Sequence, residues 1–124
     1  RLAGADLRLD MLVCRAGETT FALAFADVAD PARVTATLAE LRAVAAANLG
    51  APAASAAALQ VPGMTPNEQA SRLVLFGRAP DGAVLQEQLA VFTRGLRIYQ
   101  ATVLGTHPPP GAADAFFAGL RFES

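Results

Sequence analysis

One stretch constrains the fold of this chain more than any other: SRLVLFGRAPDGAVLQEQLAVFTRGLRIYQATVLG, residues 71–105. It holds three apolar runs separated by PDG at 80–82 and RG at 94–95. Pro, Asp and Gly each favour a tight turn for a separate reason: a preset φ, a side chain that bonds its own backbone, and tolerance of positive φ. Turns this short cannot carry a chain back to begin a parallel strand, so the three runs form an antiparallel meander.

The N-terminal third adds a hairpin. In LRLDMLVCRAG, Leu7, Leu9, Met11 and Val13 alternate with Arg8 and Asp10, the period of a half-buried strand. Gly17 and Glu18 mark a turn. TTFALAFADV then places Phe21, Leu23 and Phe25 on one face and Ala22, Ala24 and Ala26 on the other. Large residues opposite small ones predict two covered faces, with a helix close against the alanines.

DPARVTATLAELRAVAAANLG predicts that helix. Asp30 is the N-cap, whose carboxylate accepts free first-turn N–H groups. Pro31 stands where its missing N–H costs nothing. Val34, Leu38, Leu41, Ala45 and Leu49 make one apolar stripe, and Gly50 supplies the stop.

Between helix and meander, Ala58 to Val61 suggests a short edge strand, and VPGMTPNEQ reads as an exposed loop. That loop is either a tolerated surface connection or a place for binding residues, with Met64 and Asn67 as candidates. After the meander, THPPPG cannot be a strand interior. AADAFFAGLRF reads as a short helix with Ala113, Phe116, Phe117 and Leu120 toward the core. The order is β-β-α-(β)-β-β-β-α, an α+β domain spanning residues 1–124.

Composition excludes several functions. Apolar residues are 53% and charged ones 17%, so the chain is not compositionally disordered. All ten basic residues are Arg, spread among eleven acids for a net charge of -1, and no basic block offers a nucleic-acid surface. No apolar run approaches the ~20 residues of a membrane span. Cys14, the single cysteine, allows no intramolecular disulfide and reads as a buried strand residue. With one Cys and one His, His107, a structural zinc site is not expected. His107 lies in a Pro-rich turn with no partner near it in sequence. No phosphate loop and no paired carboxylates stand out. We expect no catalytic set, no metal and no cofactor.

Polar residues inside strands remain. Gln86, Gln88, Gln100 and Thr102 either line a polar groove on the sheet or occupy solvated edge positions. Arg97 and Tyr99 share a face, the Tyr ring packing while its hydroxyl reaches the rim.

LRIYQATVLG, the Pro/Gly turn and ADAFFAGLRF resemble the closing strand and helix of the Mog1/PsbP-like domains. FALAFADVADP resembles their second strand running into a helix. VPGMTPNEQASRLVLFGRAPDG resembles their central strand and turn. The likeness covers residues 8–122. It implies an antiparallel sheet flanked by helices in an α-β-α sandwich, with a leader or further N-terminal strand outside this chain. It also implies a non-catalytic binding or accessory role, with another protein as partner, in the bacterial periplasm or cell envelope. The matching residues are core and turn positions, so no catalytic residue is carried over. Two alternatives stand beside this expectation. One is a small-molecule pocket or minor enzyme built from Arg97, Gln86, Gln88 and Gln100 on the sheet face. The other is a homodimerisation module.

Overall fold

The computed structural model describes residues 9–49, 56–78, 80–106, 108 and 111–122. The elements are β1 (Asp10–Ala16), β2 (Thr19–Asp27), a 3-10 turn (Pro31–Arg33), α1 (Val34–Leu49), β3 (Ala56–Ala58), β4 (Ser71–Arg78), β5 (Val84–Arg94), β6 (Arg97–Gly105) and α2 (Ala112–Ala118). The strands form one antiparallel sheet in the order β1-β2-β6-β5-β4-β3. The fold is α+β.

The meander follows from its turns. Asp81 Oδ1 accepts from the Ala83 N–H at 3.0 Å, and Arg78 donates to the Gly82 carbonyl at 2.9 Å. Between β5 and β6, Gly95 takes a φ of 59°. The buried Thr93 hydroxyl bonds the Arg97 carbonyl at 2.8 Å and closes this turn.

Strand parity separates two cores. Ala24 and Ala26 of β2, Leu73 and Leu75 of β4, Leu89 and Val91 of β5 and Ile98 of β6 point to one face. There α1 buries Val34, Leu38, Leu41 and Ala45, the expected stripe. Ala24 and Ala26 are buried on this face, but α1 packs chiefly over β4, β5 and β6, so the expected close approach of the helix to the β2 alanines is not what seats it. On the other face, Ala90, Phe92, Ala101 and Val103 meet Ala113 and Phe117 of α2, with Phe21, Leu23, Tyr99 and Phe116 packed around them. Asp30 does cap, but it caps the 3-10 turn: its Oδ1 accepts from Ala32 N–H at 2.9 Å.

Three expectations are corrected. The first strand is not half-buried: all seven residues of β1 are exposed. Cys14 is accordingly exposed, not a buried hydrophobe. The short strand lies at Ala56–Ala58, earlier than Ala58 to Val61. The expectations for Leu7, Gly50, His107, Pro109 and Pro110 fall outside the described residues, as does the Leu49 side chain.

The 62–69 connection is largely exposed, as expected, and it is tied into the fold by long-range bonds. Val61 is buried, and Met64 packs with the α2-face core. Thr65 N–H donates to the Thr93 carbonyl at 2.8 Å, and the Thr65 hydroxyl accepts from Gly95 N–H at 2.9 Å. Asn67 donates to the Thr35 hydroxyl on α1 at 3.0 Å.

Candidate functional site

The sequence candidates do not converge. Register pairs Arg94 with Arg97 and Gln86 with Gly105, so even positions of β5 share a face with odd positions of β6. Gln86, Gln88, Arg97 and Tyr99 therefore lie on the α2 face, and Gln100 and Thr102 on the α1 face. Arg97 and Gln86 also sit at opposite ends of the β5–β6 pair, roughly 25 Å apart at the rise of a strand. The expected groove of Arg97, Gln86, Gln88 and Gln100 is not assembled.

Each candidate has a local task instead. Arg97 makes a two-pronged ion pair with Asp27 across β2–β6, at 2.8 and 3.1 Å, and lies 5.2 Å over the Phe25 ring. This pair holds the Asp27 carboxyl below its ordinary range, chiefly through the hydrogen bond. The Tyr99 ring stacks on Phe92 and meets Phe122 edge-on. Gln88 accepts from Arg72 at 2.7 Å. Arg72 also pairs with Asp114 of α2 at 2.6 Å and lies 4.7 Å over the Phe117 ring. Gln86 borders the small hollow beside this cluster. Arg72 is thus engaged by its own fold. Met64 and Asn67 line a shallow depression between the 59–70 connection and α1.

Two features remain that the fold does not consume. The first is β1. It bonds β2 on one edge, and on its other edge no strand stands among the described residues. Met11, Leu12 and Val13 are 58, 66 and 56% exposed, with Cys14 beside them. Natural edge strands are blunted by charge, proline or bulges. Here Asp10 and Arg15 stand only toward the two ends, and the four central residues are apolar or a thiol.

The second is a cavity of about 540 Å³ between α1 and the sheet. The helix lies across β4, β5 and β6 and leaves the alanine face of β2 thinly covered. Leu41 and Val44 of α1, Ala24 of β2 and Leu104 of β6 wall the space, with Met11 at its β1 side. Three polar side chains reach it from three elements: Asn48 (α1), Glu87 (β5) and Gln100 (β6). Burial pushes the Glu87 carboxyl above its ordinary range. Gln100 donates its amide N–H to the Thr102 hydroxyl at 3.4 Å. The signal for Glu87 stands in the sequence: a carboxylate in the period-two row Leu85, Leu89, Val91, which is otherwise apolar.

No family model matches this chain, and no curated protein does. Among solved structures, it is similar to a protein of unknown function from Pseudomonas aeruginosa, PA94, at 13% identity and a TM-score of 0.44. That likeness covers 98% of this chain and 88% of the other, and at this score it carries no argument.

Proposed function

We propose that this chain is a non-catalytic binding module that engages another protein through β1. The observation behind the reading is the continuous exposure of Met11–Cys14 on a strand whose outer edge pairs with no strand among the described residues. Such an edge offers unpaired backbone N–H and C=O groups to an added strand, and its side chains offer apolar anchors on both faces. Monomeric surfaces rarely leave contiguous apolar patches uncovered, so the patch speaks for a partner. The helix on each face of an antiparallel sheet fits the α-β-α sandwich of the Mog1/PsbP-like domains. The resemblance to bacterial members of that group supports a periplasmic or cell-envelope location.

A photo-reactive p-benzoylphenylalanine at Leu12 tests this in the cell of origin, with the same group at exposed Val84 as control. A discrete protein adduct from position 12, absent from position 84, is the expected result. An adduct of two copies of this chain would assign the edge to a homodimer. Equal, diffuse labelling from both positions would defeat the reading.

A further inference from the structure

We propose that the cavity between α1 and the sheet is a binding site for a primary amine carried on an aliphatic body, its ammonium group seated between Glu87, Gln100 and Asn48. The cavity, about 540 Å³, falls in the range of small-molecule sites, roughly 300–1,000 Å³. Such sites combine apolar walls with a few convergent polar groups, and this one has that composition. Glu87 is the one ionisable side chain among the described residues that line it. No hydrogen bond or ion pair from the described residues reaches the Glu87 carboxyl. A carboxylate held in an apolar hollow without a cation is electrostatically incomplete, and a ligand cation completes it.

The head group follows from the acceptors. An ammonium has three N–H donors. The lining includes three side chains that carry acceptor oxygens, from three separate elements: the carboxylate of Glu87 and the amides of Gln100 and Asn48. Gln100 spends an N–H on the Thr102 hydroxyl at 3.4 Å, so the acceptor assigned to the ammonium is its carbonyl oxygen. No aromatic ring is among the described lining residues, so the site lacks the π faces that hold a quaternary ammonium. The aliphatic walls, Leu41, Val44 and Leu104, suit an alkyl or alicyclic body.

The test is an NMR titration of the uniformly nitrogen-15-labelled chain with n-hexylamine, set against hexan-1-ol, hexanoate and hexyltrimethylammonium at equal concentrations. Hexylamine, protonated at neutral pH, should shift the amides of Asn48, Glu87, Gln100 and Leu104 in a saturable way in the millimolar range. Glu87→Gln keeps the shape and removes the charge. It should weaken hexylamine roughly tenfold to a hundredfold, the value of one charge-assisted hydrogen bond, while its spectrum stays dispersed. Asn48→Ala, at the most exposed of the three polar lining residues, should weaken binding less. Equal shifts from hexan-1-ol would mean an apolar hollow without cation recognition and would overturn the proposal. So would hexylamine binding that survives Glu87→Gln, or the absence of saturable shifts at these residues.

Discussion

Phe92 and Tyr99 are directly paired across β5 and β6, and their rings stack with centroids 5.1 Å apart at 9°. Phe122, after α2, stands edge-on to both, at 5.9 and 5.1 Å. One cross-strand pair thus ties the meander to the C-terminal segment. Phe92→Ala should cost about 3–5 kcal/mol, as for a buried aromatic. A double-mutant cycle of Phe92→Leu and Tyr99→Leu should give a coupling of about 0.5–1.5 kcal/mol in urea unfolding.

Gly63 takes a φ of 89°, and a Cβ built there would lie 2.7 Å from Phe122 Cβ. The Phe122 N–H is bonded to the Pro62 carbonyl at 2.8 Å, so neither side can simply retreat. Gly63→Ala should therefore destabilise the whole domain by about 1–3 kcal/mol. Thermal unfolding followed by circular dichroism checks this. An unchanged midpoint would return the connection to the role of a dispensable surface loop.

Two carboxylates should pull the pH dependence of stability in opposite directions. Asp27 is held low by Arg97, so its contribution is present above the ordinary carboxylate range and fades as pH falls through the lowered value. Both partners are exposed, and the effect is small. Glu87 is raised by burial, so the folded state binds its proton more tightly than the unfolded state. Its penalty is absent below the unfolded value, grows as pH rises toward the raised one, and persists above it. Glu87→Gln should match the parent in acid and exceed it in melting temperature at neutral pH. A difference independent of pH would refute the assignment.

The small buried side chains of the α1-face core give a further expectation. Ala26 is buried against the helix face. Ala26→Leu should cost about 1–3 kcal/mol through overpacking. A midpoint shift in denaturant of the opposite sign would show that the helix has room to move.

Much of this architecture is legible in local signals. PDG and RG predict the meander, Asp30-Pro31 predicts where the helical segment begins, and the alternation of Phe21, Leu23 and Phe25 with alanines predicts two covered faces. The site is less legible. Period two in β1 reads the same whether a facing layer exists or not, and the exposure of Met11 and Val13 among the described residues is a tertiary fact. The separation of Gln100 from Gln86 and Gln88 is contained in the turn, because a two-residue connection pairs even positions with odd ones. Reading strand polarity without register hides it. The structural role of 62–69 rests on long-range bonds from Thr65 and Asn67 that no local pattern announces.

The central claim is that β1 is where a partner binds. Amide hydrogen exchange of the full chain, with and without the protein captured from position 12, tests it most directly. New protection is expected in residues 10–16, with the connection at 62–69 and the β3 edge unchanged. Protection at 62–69 or β3, with β1 exchanging as before, would contradict it.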